Sequence, residues 1–156
     1  MLYENVFIFS GQLSQKAAED KLEESIEVIK NWIDKESSVL DLGCGHGEIL
    51  NILSREWGST VLGVEINQDN INKCIQSGLN VIHQNIDEGL ENFNDNSFDI
   101  VIMSQTIQVL KEPKKALQEV TRIGNESIVT IPNFGYWTTR INLLLSGKMP
   151  VTGALP

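Results

Sequence analysis

The chain is short of cysteine, of positive charge and of long apolar runs, and each shortage removes a class of function. Its only cysteines, Cys44 and Cys74, form no C-x-x-C, and His46 and His83 stand at no zinc spacing. A dithiol redox motif and a structural zinc site are thereby excluded. One thiol at a glycine turn and one inside an expected helix read as buried or semi-buried groups in a reducing compartment. Basic residues number 12 against 21 acidic, for a net charge of −9. Sequence-independent nucleic-acid binding needs a positive surface to displace counterions, so nucleic acid is not an expected partner. No run approaches the length that spans a membrane. Residues 1–15 lack a basic n-region, and the apolar stretch 6–9 is too short for a signal-peptide core. The expectation is a cytoplasmic protein, and 156 residues with 41% hydrophobic content suit one domain with its own core.

What the sequence does have is Val39-Leu40-Asp41-Leu42-Gly43-Cys44-Gly45-His46-Gly47-Glu48, a short apolar strand running into three alternating glycines and then a helix-period segment. Glycines at alternate positions let backbone N–H groups approach a ligand with no Cβ in the way, and the following helix aims its positive end at the same spot. Spacing decides which ligand. A dinucleotide fingerprint would need glycine where Glu48 stands, and the Gly-Lys-Ser/Thr of a phosphate-cradling loop never occurs. The pattern is G-x-G-x-G, preceded by Asp41, with Glu65 closing the next apolar strand. That set resembles the S-adenosylmethionine loop of class I methyltransferases; the competing reading is a tight strand-to-helix turn that binds nothing.

Periodicity organises the rest. Leu22, Ile26, Ile29 and Ile33 recur at helical spacing over residues 14–35. Apolar runs predict strands over 38–42, 60–65, 80–84, 98–103 and 127–131. Helices are expected over 47–57 (Ile49, Leu50, Ile52 and Leu53 inward), from an Asn67 cap to Gly78 (Ile71, Cys74 and Ile75 inward), and over 113–123 (Ala116, Leu117 and Val120 inward, Gly124 closing). Residues 87–99 carry no basic side chain and read as an acidic loop with room for one helical turn. Strands alternating with helices give an α/β, Rossmann-like, doubly wound and mostly parallel sheet. The ligand of such a sheet lies at the C-terminal strand ends, where strand order reverses. The glycine loop, Glu65, Asn85 and Ser104 all map to that edge.

Further motifs narrow the resemblance. Gly63-Val64-Glu65-Ile66, Leu79-Asn80-Val81-Ile82, Ser104-Gln105-Thr106-Ile107-Gln108, Pro132-Asn133-Phe134-Gly135 and the closing Gly147-Lys148-Met149-Pro150-Val151-Thr152 are similar to the MetW family. These are bacterial proteins of methionine biosynthesis with a class I methyltransferase-like fold. The resemblance runs from about residue 20 to the C-terminus, which sets residues 1–19 apart as an extension and 20–156 as the S-adenosylmethionine-binding domain. Family members continue past Ala-Leu-Pro, so the chain resembles a shortened member. It would lack the antiparallel hairpin beside strand five, leaving that strand an edge open to a second copy.

The resemblance implies S-adenosylmethionine or S-adenosylhomocysteine as cofactor, held by Asp41, Gly43, Cys44, Gly45, His46, Gly47, Glu65, Ile66, Asn85, Ile86 and Ser104. Glu65 would accept the ribose hydroxyls. Asn85 stands where the family more often has Asp, and can still accept from the adenine amino group. Asp41 would either brace the glycine loop or reach the ligand's ammonium group. His46 either lines the methionine end or is simply exposed, and Asp87 either bonds near the adenine or is a solvated loop acid. Phe134, Tyr136 and Trp137 would roof a substrate pocket, form a partner groove or pack on helix faces; Tyr136 also replaces a common His. No catalytic base emerges, and the Asn/Asp-Pro-Pro-Tyr/Phe signature of amino-methylating nucleic-acid enzymes is absent after strand four. Two functions stand open: methyl transfer to a small molecule, and, as the family implies, a partner and regulator of homoserine O-acyltransferase that senses S-adenosylmethionine.

Overall fold

The computed structural model describes residue 29 and residues 31–130. The elements follow as β1 (Ser38–Leu42), α1 (Glu48–Trp57), β2 (Thr60–Glu65), α2 (Gln68–Gln76), β3 (Val81–His83), β4 (Phe98–Ser104), α3 (Pro113–Ile123) and β5 (Gly124–Thr130). Single 3-10 turns occupy Ile86–Glu88 and Ile107–Val109. The strands form one sheet of order β3-β2-β1-β4-β5, and every pair is parallel. This is the expected α/β doubly wound architecture.

Side-chain alternation along the central strand divides the core in two. Val39 packs with Ile49, Leu50 and Leu53 of α1, Cys74 of α2, and Ile29 and Ile33. Leu40 and Leu42 pack on the other face with Val101 and Met103 of β4 and with Ala116, Val120 and Ile123 of α3. Both faces of β1 are therefore covered, which is why it reads as a nearly unbroken apolar run. Helix ends follow their local chemistry. Asn67 caps α2, its Oδ1 accepting from the backbone N–H of Asp69 at 2.9 Å and of Asn70 at 3.2 Å. Gly58 closes α1 in the left-handed region, its N–H reaching the Leu53 carbonyl. No helix among the described residues is long and apolar enough to cross a membrane.

Some boundaries differ from the sequence reading. Residues 31–33 are already turn and bend, so the first helix ends short of Lys35, although Ile29 and Ile33 are buried as expected. Ile75 is 59% exposed: α2 rests on the single row Ile71 and Cys74, and one further residue turns about 100° away from it. Gly124 does not end α3 ahead of a loop. It is both the helix's C-cap and the first residue of β5. A Cβ there would lie 2.6 Å from the Glu126 carbonyl oxygen and 2.7 Å from Val101 Cγ2, a fit that only glycine makes. The segment 6–9, most of the first helix, the aromatics Phe134, Tyr136 and Trp137, and the question of a hairpin beyond β5 lie outside the described residues.

The acidic loop contains no base of its own, and α3 supplies one. Arg122 Nη1 donates to the Phe93 carbonyl at 2.8 Å and to Asp95 Oδ1 at 2.7 Å. Its Nη2 donates to the Leu90 carbonyl at 3.1 Å and to Glu119 Oε2 at 2.7 Å, and Nε to Glu119 Oε1 at 3.0 Å. One planar guanidinium thus staples residues 90–95 to the helix, a geometry a lysine cannot reproduce. Arg122→Ala is expected to lower stability by about 1–3 kcal/mol, and Arg122→Lys to recover little of it. Urea titration reads this as a lower midpoint at unchanged slope.

Candidate functional site

Strand order reverses at β1, because the chain leaves it toward β2 and later crosses over to β4. The glycine turn stands at that point. Gly43 and Cys44 both donate their N–H to the Val64 carbonyl, at 2.8 and 3.1 Å, which folds the chain back over the end of β2. Gly43, Gly45 and Gly47 all have positive φ, at 81°, 54° and 77°. Two of them also answer to packing. A Cβ on Gly43 would collide with the Thr106 side chain, and one on Gly47 would lie 2.5 Å from Leu79 Cδ1. A Cβ on Gly45 would meet nothing within 4 Å.

The carboxylate of Glu65 is buried beneath this turn and accepts three backbone N–H groups. Gly45 donates to Oε2 at 2.8 Å; Ile66 and Asn67 donate to Oε1 at 2.9 and 2.8 Å. A carboxylate has about four acceptor positions, so one remains for a ligand on the cleft side. The loop-bracing role that Asp41 could have filled belongs to Glu65. Asp41 is only 1% exposed, and its Oδ1 has no hydrogen-bond partner. Burial, and secondarily the charge of Glu65, push its pKa up to about 7. Burial also pushes up the thiols of Cys44 and Cys74, and Cys74 donates to the Gly45 carbonyl at 3.3 Å. They are inert packing thiols.

Beside the turn lies a cleft of ≈ 230 Å³, lined by Gly43, Glu65, Ile66, Gln84, Asn85, Ile86, Asp87, Gln105, Thr106, Val109 and Leu110. Of the residues expected from sequence it brings together Gly43, Glu65, Ile66, Asn85 and Ile86. Ile66, just after β2, is 57% exposed, and Val109, beyond β4, is 47% exposed. Two apolar side chains held out in solvent at one cleft make walls for a flat, weakly polar ring. Asn85 Oδ1 accepts from the Asp87 N–H at 3.1 Å while its Nδ2 donates to Glu88 Oε1 at 3.1 Å. Asp87 is no idle loop acid: its Oδ1 accepts from the backbone N–H of Lys111 at 3.0 Å and of Glu112 at 3.2 Å, clamping the approach to α3.

Other expected residues sit elsewhere. His46 is exposed, with Nε2 3.0 Å from Lys73 Nζ. The Ser104 hydroxyl lies 2.9 Å from Thr130 Oγ1 and is absent from the cleft lining. Gln105 and Thr106 line it instead. Gln105 holds φ 50°, unusual for a residue with a Cβ, and is fixed there by its N–H to Thr130 Oγ1 at 3.1 Å and by the Gln108 amide on its carbonyl. Val109 and Leu110 escaped the sequence reading. Their signal was the uncharged stretch 104–110 between a strand end and Lys111. Among the described residues, no group of three or more His, Cys, Asp or Glu could hold a metal ion.

Comparison with known proteins agrees with this architecture. The family model described as methionine biosynthesis protein MetW matches residues 23–156. The bifunctional methionine biosynthesis protein MetXA/MetW of Rhodopirellula baltica is 35% identical over 132 residues, covering 80% of this chain and 21% of that protein. Among solved structures, a SAM-dependent methyltransferase of Thermotoga maritima superposes with TM-score 0.61 at 25% identity, covering 75% of this chain and 54% of that one. One from Aquifex aeolicus superposes at 0.54 with 26% identity, covering 72% and 68%. The chain thus spans about a fifth of the bifunctional relative and roughly half to two thirds of these methyltransferases.

Asp41 gives the site a pH signature. Its pKa rises on folding, so its contribution to stability is fully present below the unfolded value of 3.8 and is lost as pH rises through about 7. Asp41→Asn removes that loss. Thermal melts should show the variant gaining on the wild type as pH is raised from 5 to 8, with no further gain above; a constant difference across that range would refute the assignment.

Proposed function

Because the chain belongs to the MetW family of methionine biosynthesis proteins, we propose that it binds S-adenosylmethionine or S-adenosylhomocysteine and acts as a partner and regulator of homoserine O-acyltransferase. The observation that carries the cofactor reading is the pair of buried carboxylates under the glycine turn. Glu65 is held in place with one acceptor position left, and Asp41 has an oxygen with no partner. Such a site fits a ligand that brings hydroxyls and a cation. In this reading Glu65 takes the ribose, Ile66 and Val109 flank the adenine, and Asn85 and Ile86 line its edge. The turn from Gly43 through Cys44, Gly45 and His46 to Gly47 shapes the methionine end above Asp41. Ser104 works at one remove, through Thr130, which positions Gln105.

The bound group would supply an electrophilic methyl on a sulfonium. Among the described residues of the cleft, the carboxylates of Glu65 and Asp87 both hold backbone N–H groups in place, a structural use that supports the sensing reading. The partner reading draws support from the Rhodopirellula relative, which joins MetXA and MetW in one bifunctional chain. Cofactor and partner binding would then be coupled, each changing the affinity for the other by the same factor. The domain spans residues 20–156, with 1–19 an extension, and works in the cytoplasm. The outer edge of β5, paired only with β4 among the described residues, is where a second copy would add. The competing enzyme reading rests on the fold shared with SAM-dependent methyltransferases and on the uncharged Gln105–Thr106 rim as the seat of a small acceptor.

Isothermal titration with S-adenosylhomocysteine is expected to show one site per chain. Glu65→Ala should weaken binding about tenfold or more and also lower Tm, because it strands three N–H groups as well as the ribose contact. If neither S-adenosyl ligand binds the folded wild type, the cofactor reading is wrong. Co-purification with the acyltransferase, and its rate with and without this chain, tests the partner: no complex and no change in rate would exclude it. Incorporation of labelled methyl into a defined acceptor would favour the enzyme reading instead.

A further inference from the structure

The polar side chains lining the cleft differ in what they have left to give. The carboxylates of Glu65 and Asp87 can only accept. Gln84 has spent both amide N–H groups, on the Gly89 carbonyl at 2.8 Å and on Asn92 Oδ1 at 2.9 Å, and its Oε1 accepts from Asn92 Nδ2 at 3.0 Å. The Thr106 hydroxyl donates to the Ser104 carbonyl at 3.0 Å. Among the described residues of the cleft, Asn85 alone keeps a donor and an acceptor on one planar group whose orientation is fixed. The fixing is chemical. The backbone N–H of Asp87 can only donate, so it takes Oδ1, at 3.1 Å. The Glu88 carboxylate can only accept, so it takes Nδ2, also at 3.1 Å. One lone pair and one N–H of the amide remain. Glu88 stands three residues after Asn85, the spacing of a capping box, yet it takes the side-chain amide where a capping box takes the backbone N–H. Glu88 itself is exposed, and its bond decides which way round the amide sits.

We propose that Glu88 is a positioning residue that sets specificity: it holds the Asn85 amide in the one orientation that accepts an amino purine and turns away a keto purine of the same shape. The inference rests on the S-adenosyl reading, which supplies the purine. An adenine edge carries an exocyclic N–H donor beside a ring-nitrogen acceptor, the complement of an amide's oxygen and N–H. The keto counterpart of adenine puts an acceptor in place of that donor, and is matched only by an amide turned over by half a rotation. Turned over, Nδ2 would face the Asp87 N–H, donor against donor. Oδ1 would face the Glu88 carboxylate, acceptor against acceptor. Both bonds of the amide are lost in the exchange, and a polar group stripped of its partners costs more than one new contact returns. With Glu88 in place the amide does not adapt to the ligand. Without it only the Asp87 N–H opposes the turn.

The test is calorimetric, on the full chain, with S-adenosylhomocysteine and its deaminated counterpart S-inosylhomocysteine as paired probes. The wild type should bind the deaminated ligand about ten- to a hundredfold more weakly. Glu88→Gln is the decisive variant, because a glutamine amide bonds to Asn85 in either orientation. It should leave Tm and the affinity for S-adenosylhomocysteine close to wild type while cutting the discrimination to about threefold or less. Glu88→Ala should cut it likewise. A merely structural Glu88 would weaken both ligands by the same factor and leave their ratio alone. An unchanged ratio in either folded variant overturns the proposal while leaving the cofactor reading intact. A wild type that binds both ligands equally overturns it too, and that comparison stands even where a variant fails to fold. A folded wild type that binds neither probe overturns both readings together.

Discussion

The carboxylate of Glu65 gathers N–H groups from two separate turns, and the shape of the sheet's C-terminal edge depends on that convergence. Gly45 reaches it from the β1–α1 turn, Ile66 and Asn67 from the β2–α2 turn. Each turn alone would leave these backbone donors without a protein acceptor. Joined through one side chain they become a single surface. Charge-assisted bonds of this kind are shorter and stronger than neutral ones, and they fix the edge. Asn67 then continues the same economy, with its N–H on Glu65 and its side chain capping α2.

The second organising fact is an imbalance. Two carboxylates lie within the reach of one another's charge; Glu65 accepts three backbone N–H groups, while Asp41 Oδ1 accepts none among the described residues. A structural pair would be expected to have both satisfied, because half-filled polar networks are costlier than none. An unsatisfied buried carboxylate costs folding stability, the kind of cost found at sites that receive a polar ligand.

Much of this was legible in the sequence because it rests on local rules. Nearly unbroken apolar runs marked the strands, Asn67 and Pro113 marked helix starts, and the G-x-G-x-G spacing with Asp41 and Glu65 singled out the turn. What escaped depends on neighbours distant in the chain. Whether Asp41 or Glu65 braces the loop is decided by where Gly45, Ile66 and Asn67 aim their N–H groups. Ser104 ends β4 with its hydroxyl on Thr130, while Gln105, just past the strand at φ 50°, lines the cleft. Ile75 matched the helical period of α2, yet the face it shares with Ile71 is too narrow to cover it. Asp87 looked like one more acid in an acidic loop, and its partners, Lys111 and Glu112, offer only backbone.

The seamless passage from α3 into β5 at Gly124 has a mechanical side. With no linker between them, helix and strand turn as one stiff corner, and Gly124 is too closely packed against Val101 to serve as a hinge. The far end of that corner is tethered at Asp87, on the wall of the cleft, and its near end is the outermost strand described. The cleft wall at Asp87 and the outermost described strand thus belong to one continuous piece of chain, with no loop between helix and strand.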